Sequence, residues 1–267
     1  MGRIAVGVEY DGGAYSGWQI QASAPSVQQQ IQLALTRVAD APVEVICAGR
    51  TDAGVHAHAQ WAHFDTSAAR HERAWVLGAN TSLPADIALR WARAVPDHFH
   101  ARYSALSRTY RYLILNRTSR SALARGRAWC VHRPLNEAAM SAAAAPLLGE
   151  HDFSAFRSSE CQARSPIRRL YQLQVRRAAD WLVIEVRANA FLHHMVRNLV
   201  GVLVAVGSGS AGPQRAREQL DSRRRASGEA TAPAHGLYLW RVEYPPQFGL
   251  PEDSAMIELS GAGPWGP

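Results

Sequence analysis

The sequence AGRTDAGVH, residues 48–56, connects two stretches with the apolar character of β-strands, residues 43–47 and 56–64. Two glycines bracket an Arg-x-Asp, and glycine permits a tight backbone path and the close approach of a ligand. Arg50 is near enough to pair with Asp52, and an aspartate held by an arginine stays ionised, as a nucleophile or an electrostatic stabiliser must. Asp and Gly are also common in ordinary turns, so the spacing alone leaves a catalytic and a structural interpretation open.

Outward from this connector, short strand patterns are interspersed with helix patterns. Alternating apolar residues predict strands, and apolar residues three or four positions apart predict helices. Several strands are predicted to be hairpin partners, which favours an α+β fold over a doubly wound parallel sheet. The similar order of elements in the two halves is consistent with two related lobes. The predicted strands are residues 3–10, 43–47, 56–64, 87–95, 110–115, 170–176, 181–187 and 237–242, and the predicted helices are residues 27–38 after an N-cap at Ser26, 71–77, 136–148, 191–206 and 213–220.

The overall composition predicts a folded protein outside the membrane. Hydrophobic residues make up 47% of the 267 residues, which is enough to bury a sizeable core. The sequence contains no apolar run of the roughly 18 residues that a membrane-spanning helix needs. The N-terminal residues enter a strand pattern directly and lack the apolar region of a signal peptide, so we expect a cytoplasmic location. The segment from Pro245 onward is rich in Pro and Gly, and we expect it to lie along the surface or to be partly mobile.

The charged residues indicate an anionic partner. The net charge is +7, and all 29 basic residues are arginine. Arginine makes planar, bidentate contacts with phosphate and stacks on bases, which suits a nucleic acid. The absence of lysine excludes Schiff-base chemistry on a lysine and a P-loop. The three cysteines are far apart and predict free thiols, not a disulfide framework. A basic track for a nucleic-acid backbone would include Arg108, Arg111, Arg168, Arg169, Arg176, Arg177 and Arg223 to Arg225.

Histidines near the connector permit a rival chemistry. His56 and His58 would share one face of a strand and, with Asp52 or Asp65, could bind zinc for a metal-dependent hydrolase. His63 has the opposite strand parity, and no HExxH motif is present. Packed polar strand residues are the other interpretation.

Two further segments have candidate functional residues. Tyr110 and Tyr112 would share one face of a strand with Arg108, and aromatic rings beside guanidinium groups suit an unstacked base and its phosphate. A half-buried strand with tyrosines in the core gives the same pattern. Arg197 lies in the most apolar predicted helix, where it either extends to water or pairs with a carboxylate in a site.

Taken together, these segments resemble the TruA family of tRNA pseudouridine synthases. The residues that match the family run in family order over nearly the whole chain, and the connector and the segment around Arg197 are its most specific motifs. One departure is Ile20, where the family often has a basic residue, so one RNA contact is in doubt. The matching stretches are residues 9–12 (EYDG), 17–19 (GWQ), 48–56 (AGRTDAGVH), 99–102 (FHAR), 110–112 (YRY), 151–153 (HDF), 189–198 (NAFLHHMVRN) and 236–239 (GLYL).

The resemblance implies a fold, a partner and a reaction. The fold would be two ferredoxin-like α+β lobes that share one continuous, mainly antiparallel sheet, with an active-site cleft between them. The N-terminal lobe would cover residues 1–105, the C-terminal lobe residues 106–245, and a tail residues 246–267. The enzyme would be a homodimer that isomerises uridines 38, 39 and 40 in the anticodon stem-loop of tRNA, with no metal and no cofactor.

The resemblance also implies the roles of four residues. Asp52 matches the essential aspartate, Tyr110 the tyrosine that stacks on the target base, Arg197 the arginine that pairs with the aspartate, and Arg50 an active-site arginine. A catalytically silent RNA-binding protein with this fold is a third possibility, beside the isomerase and the zinc hydrolase. A protein that only binds RNA has no obvious need for all four residues, which argues against it.

Overall fold

The computed structural model describes residues 1–225 and 230–251. Its contacts divide these residues into two units, one of residues 1–107 and 238–251 and the other of the described residues between 108 and 237. The strands are β1 (Gly2–Tyr10), β2 (Ile46–Cys47), β3 (His56–Thr66), β4 (Ile87–Val95), β5 (Ser107–Asn116), β6 (Trp129–Val131), β7 (Gly149–Asp152), β8 (Ile167–Ala178), β9 (Trp181–Ala188) and β10 (Leu237–Glu243). The helices are α1 (Val27–Ala39), α2 (Glu72–Asn80), α3 (Glu137–Ala144), α4 (Met195–Gly207) and α5 (Arg215–Ser222).

The sheet of the first unit has the strand order β4-β1-β3-β10, with β2 also paired to β3. β1 is antiparallel to both β3 and β4, whereas β10 runs parallel to β3, with Tyr238 opposite His56. The sheet is therefore mixed. Strand β1 is apolar on both faces, because its residues Ala5, Val6 and Val8 are fully buried.

Helix α1 begins and ends at residues that suit these positions. The Ser26 side chain accepts a hydrogen bond from the backbone N–H of Gln29, and this N-cap satisfies one of the donors that a helix start leaves without a partner. The helix ends at Asp40, whose φ of 53° is left-handed, a conformation that Asp tolerates better than most residues. The buried face of the helix contains Ile31 and Leu35. The predicted cap and helix are confirmed.

The strand predicted at residues 43–47 is shorter than expected, because only Ile46–Cys47 pairs with β3. The backbone N–H of Val43 donates to the Thr36 hydroxyl at 3.2 Å, and that of Val45 donates to Gln32 Oε1 at 3.0 Å. Side chains of α1 thus take the hydrogen bonds that a longer strand would give to its neighbour.

The chain continues to pack on the first unit after β10. A 3₁₀ turn at Pro246–Phe248 places the Phe248 ring edge-on to Phe99, with ring centroids 5.1 Å apart. Phe248 is 7% exposed and packs with Ala5 and Val95 in one apolar cluster. The first residues of the predicted surface tail are therefore part of this core, whereas residues 252–267 of that tail lie outside the described residues.

The sheet of the second unit has the order β5-β9-β8-β7, all antiparallel, with the short β6 parallel to β5. β8 and β9 form the predicted hairpin, which turns at Ala179 with a φ of 50°. Leu182, Ile184 and Val186 are at most 1% exposed on one face of β9, and α3 packs against β8. The prediction of a mixed α+β fold is confirmed, and most strand pairs within each unit are antiparallel.

Helix α4 is buried along most of its length but begins later than predicted. It starts at Met195 and not at Phe191, because His194 adopts a left-handed φ of 61° and the preceding turn is closed by a hydrogen bond from Met195 N to Leu192 O. Its apolar character reflects its place inside the second unit, where it contacts α3 and α5. Among the described residues, no helix combines the length and apolarity needed to cross a membrane.

Candidate active site

The connector between β2 and β3 folds into a tight turn that carries Asp52. The backbone N–H of Val55 donates to the carbonyl of Asp52 at 3.1 Å, which closes a four-residue turn. Gly54 is the third residue of this turn and has a φ of +76°, which the third position of a type II turn requires. At the start of the connector, Ala48 N donates to Trp61 O at 2.7 Å. Asp52 is half-buried in this turn.

The turn after β1 supports this loop from one side. Trp18 N donates to the carbonyl of Thr51 at 3.0 Å, and Gly54 N donates to the carbonyl of Tyr15 at 3.3 Å. Gly17 has a φ of +94°, and a Cβ atom there would lie 2.7 Å from Thr51 O and 3.1 Å from the carbonyl carbon of Asp52. Only glycine fits this close approach. The backbone before and after the Asp52 side chain is thereby fixed.

Three polar side chains lie beneath the loop. The hydroxyl groups of Tyr10 and Thr51 are 2.8 Å apart, and both residues are buried. Gln60 Nε2 donates to the carbonyl of Gly49 at 2.7 Å and lies 3.5 Å from the Tyr10 hydroxyl. Sequence analysis assigned no role to Tyr10 or Gln60. The signals in the sequence are the position of Tyr10 in the EYDG stretch and a glutamine among apolar residues on a predicted strand.

Arg50 lies two residues before Asp52 and is exposed to solvent. Its charge favours the thiolate form of Cys47, but burial is the larger effect and raises the pKa of that thiol to about 12. Cys47 is therefore an uncharged thiol at neutral pH, and all three cysteines are free, as predicted.

The histidines near the loop have packing contacts. The His56 ring stacks on Tyr238 with centroids 4.7 Å apart, and the His58 ring stacks on Trp240 at 4.1 Å. His63 Nδ1 accepts the backbone N–H of Ala101 at 3.1 Å. In the described part of the chain, these three histidines do not converge with a carboxylate as metal ligands would. The arrangement favours the packing interpretation for these three histidines.

Burial shifts the titration of His63. Loss of solvation, with smaller contributions from the charges of Arg3 and His100, lowers the pKa of His63 to about 4. The His63 ring is 2% exposed and lies edge-on to Phe99. His63 is therefore neutral at physiological pH and accepts the hydrogen bond from Ala101.

The two tyrosines of the predicted YRY strand lie in the second unit and have different surroundings. The Tyr110 ring is edge-on to Phe191, with centroids 5.0 Å apart and planes at 86°. The Tyr112 hydroxyl donates to the carbonyl of Pro233 at 2.8 Å, and a Cβ on Gly236 would lie 2.7 Å from the Tyr112 ring. Burial raises the pKa of Tyr112 well above its usual value. The core interpretation of this strand thus holds for Tyr112.

Arg197 lies in the first turn of α4 and is held at a defined position. Its Nε donates to the carbonyl of Ala232 at 2.8 Å, and Ala232 N donates back to the carbonyl of Arg197 at 3.1 Å. The next residue, Asn198, donates to Phe156 O at 2.7 Å and accepts from the Thr231 hydroxyl at 2.8 Å. These contacts fix the position of Arg197 in the second unit, and its pairing with a carboxylate stays a prediction.

Several arginines of the predicted basic track contact protein groups. Arg111 Nε donates to Glu185 at 2.6 Å, Arg108 to the carbonyl of Asn189 at 3.0 Å, and Arg177 to the carbonyl of Leu135 at 2.7 Å. These three guanidinium groups stabilise the second unit. Arg223, Arg224 and Arg225 are exposed at the end of α5.

Comparison with known proteins identifies the family of this chain. The family model described as tRNA pseudouridine synthase matches residues 7–104 and 143–245. The tRNA pseudouridine synthase A of Methylococcus capsulatus is 55% identical over 258 residues, which cover 96% of this chain and 95% of that protein. Proteins of the same name from Coxiella burnetii (251 residues, 94% of this chain and 96% of that protein) and Nitrosococcus oceani (257 residues, 96% and 99%) are each 53% identical. The chain belongs to the tRNA pseudouridine synthase family and is an isomerase.

Proposed function

We propose that this protein isomerises uridine to pseudouridine at positions 38, 39 and 40 in the anticodon stem-loop of tRNA, with Asp52 as its catalytic carboxylate and without a cofactor. The observation that carries the proposal is the loop of Asp52, whose backbone is fixed by Trp18, Gly17 and Val55. A carboxylate fixed before the substrate arrives needs little reorganisation during the reaction. The family membership supplies the reaction type.

The proposed reaction requires one carboxylate and no redox partner. The N1–C1′ bond of uridine breaks, the uracil turns, and a C5–C1′ bond forms. The hydrogen at C5 leaves as a proton, and N1 gains a proton, so atoms and electrons balance. Asp52 either attacks the sugar or the base covalently or removes a sugar proton, and these routes are alternatives within the proposal.

The other predicted site residues have supporting roles in this proposal, as the resemblance to the family implies. The target uridine leaves the helical stack, and Tyr110 stacks on its base. Arg197 pairs with the carboxylate of Asp52, and Arg50 is a further cation of the active site. We propose that Tyr110, or water near it, helps to remove the C5 proton.

The resemblance also supports the architecture, the assembly and the location in this proposal. The architecture is two ferredoxin-like lobes with a shared sheet and a cleft between them, within the boundaries 1–105, 106–245 and 246–267. The enzyme acts as a homodimer in the cytoplasm, and tRNA contacts both subunits. The proposal includes no metal and no membrane partner.

Release of tritium from tRNA that contains 5-tritiated uridine tests the reaction and its carboxylate together. Asp52→Asn preserves size and turn preference but removes the charge, so we expect release by the wild type and none by the variant, with tRNA binding retained. Asp40→Asn is the matched control, because Asp40 is exposed at the end of α1 with a φ of 53° that Asn tolerates. Equal release by wild type and Asp52→Asn would show that Asp52 is not the catalytic group, and no release by the wild type would leave only RNA binding.

A further inference from the structure

Beneath the loop of Asp52, a row of polar side chains lies in an otherwise apolar part of the first unit. Gln60 is 0% exposed, Tyr10 5% and Thr51 7%. Val8 and Ala62, on the same two strands, are fully buried as well. Burying polar groups among apolar ones costs free energy unless they are hydrogen-bonded, so a row of this kind has a structural or functional reason.

The hydrogen bonds of this row form a chain that ends at the loop of Asp52. The carbonyl of Gly49 can only accept, so the Gln60 atom 2.7 Å from it is the amide nitrogen. The same nitrogen faces the Tyr10 hydroxyl at 3.5 Å, so Tyr10 accepts from Gln60. The Tyr10 hydroxyl and Thr51 Oγ1 are 2.8 Å apart, and either hydroxyl can donate in this hydrogen bond. The hydrogen bonds therefore connect Gln60 through Tyr10 to Thr51, the residue before Asp52.

The row and the backbone contacts hold different parts of the same loop. Gly17 and Trp18 fix the carbonyl of Thr51. Tyr10 fixes the Thr51 side chain, and Gln60 fixes the carbonyl of Gly49 at the start of the loop. Because its carbonyl and its β-branched side chain are both held, Thr51 has little freedom to change its backbone torsion angles. Such a change would displace Asp52, the next residue.

We propose that Tyr10, oriented by Gln60, is a positioning residue that acts through the Thr51 hydroxyl to hold the carboxylate of Asp52 in place for the reaction. This inference rests on the proposed role of Asp52 as the catalytic carboxylate. A carboxylate that is displaced by a fraction of an ångström still binds the substrate but reacts more slowly. Loss of the row therefore lowers the rate of the chemical step and leaves tRNA affinity unchanged.

Single-turnover pseudouridine formation, measured beside tRNA binding and the thermal midpoint of unfolding, tests the inference. Tyr10→Phe removes one hydroxyl group, and we expect the rate constant to fall roughly 10-fold with a Kd for tRNA within about twofold of the wild type. Thr51→Val keeps the shape of threonine without the hydroxyl and is expected to match Tyr10→Phe. Thr51→Ser restores the hydroxyl group and is expected to retain most of the rate.

A double variant separates positioning from general destabilisation. Because Tyr10 and Thr51 act through one hydrogen bond, Tyr10→Phe with Thr51→Val is expected to react no more slowly than either single variant. Tyr244→Phe is the matched control, since its hydroxyl donates to Ala101 O at 2.6 Å and its ring packs on Trp61 and Phe99. It is expected to retain the wild-type rate.

The outcomes separate this inference from the proposed function. If Asp52→Asn is inactive while Tyr10→Phe and Thr51→Val react at the wild-type rate, the positioning role is wrong and the catalytic carboxylate stands. A Thr51→Ser rate as low as that of Thr51→Val also overturns it, because the methyl group and not the hydroxyl would then matter. Full activity of Asp52→Asn overturns both.

Discussion

Gly17 and Thr51 approach each other so closely that a methyl group on Gly17 would lie 2.7 Å from the carbonyl oxygen of Thr51. The same methyl group would lie 3.1 Å from the carbonyl carbon of Asp52. These are backbone atoms that cannot move aside as a flexible side chain can. The turn after β1 therefore sets the position of the Asp52 loop by direct contact.

The Gly17→Ala variant is expected to shift this loop and to lower kcat/KM at least about 10-fold. Gly209→Ala is the matched control, because Gly209 has a comparable φ of +72° but nothing within 4 Å of the added Cβ. Both variants place an alanine in a left-handed conformation, which lowers the free energy of unfolding by about 1 kcal/mol. Equal activity of the two variants would show that the contact with Thr51 does not position the site.

Acid is expected to destabilise the protein through His63. Its pKa is about 4 when folded and near 6.5 when unfolded, so below pH 6.5 the unfolded chain binds a proton that the folded chain does not. The contribution of His63 is complete above pH 6.5 and is lost as the pH falls from 6.5 toward 4. We expect a loss of about 2 kcal/mol between pH 7.5 and 5 from this residue, measured by urea unfolding.

The His63→Asn variant retains an acceptor for the Ala101 N–H and removes the titrating ring, so its stability is expected to depend less on pH in this window. His98→Asn is the control, because His98 is exposed. If His63→Asn and the wild type lost the same stability on acidification, other groups would account for the pH dependence.

Phe248→Ala is expected to lower the free energy of unfolding by about 3 kcal/mol, because it leaves a cavity beside Phe99 and Val95. Leu33→Ala, at a residue that is 52% exposed on α1, is expected to change it by less than about 0.5 kcal/mol. Chemical unfolding of both variants, followed by tryptophan fluorescence, provides the comparison. A change below 1 kcal/mol for Phe248→Ala would mean that the segment after β10 does not stabilise the core.

The two tyrosines of β5 are expected to respond differently to the loss of a hydroxyl group. Tyr112→Phe leaves the part-buried carbonyl of Pro233 without its donor and is expected to lower stability by about 1–2 kcal/mol, with turnover nearly unchanged. Tyr110→Phe is expected to lower turnover roughly 100-fold if its hydroxyl helps to remove the C5 proton. Full turnover by Tyr110→Phe would exclude that role.

Affinity for tRNA is expected to fall steeply with salt, because phosphate contacts of arginines release counterions from the RNA. Each contact adds about 0.7–0.9 to the negative slope of log K against log salt concentration. Exposed arginines such as Arg224 are expected to reduce the slope when replaced by alanine, whereas Arg111, which pairs with Glu185, is expected to affect folding as well. A flat salt response in filter binding would argue against phosphate contacts as the main source of affinity.

Local patterns predicted most of the elements, and long-range contacts account for the exceptions. Ser26 was recognisable as a cap because its partner lies three residues away. The strand expected at residues 43–47 is shorter because Gln32 and Thr36 take its hydrogen bonds. Helix α4 begins later than predicted because His194 has a left-handed φ of 61°, which interrupts the helical backbone.

The same difference between local patterns and long-range contacts applies to the candidate site. The connector around Asp52 was visible as a motif because its chemistry is concentrated in a few adjacent residues. Tyr10 and Gly17 lie in matching stretches, but their contacts with the Asp52 loop were not predicted, since both residues lie far before it in the sequence and Gln60 lies on the next strand. The different surroundings of Tyr110 and Tyr112 likewise depend on a contact with the distant Pro233, which the spacing of residues along β5 does not reveal.

The parallel pairing of β10 with β3 has a consequence for biosynthesis. His56, at the start of the strand that follows the Asp52 turn, lies opposite Tyr238, which a ribosome adds only after the whole second unit has been made. A nascent chain that has produced β3 therefore exposes this strand edge until the late segment emerges. We expect a chain that stops short of Tyr238 to be prone to aggregation and to be recognised by chaperones and proteases, so that translation must pass this point before a competent enzyme forms.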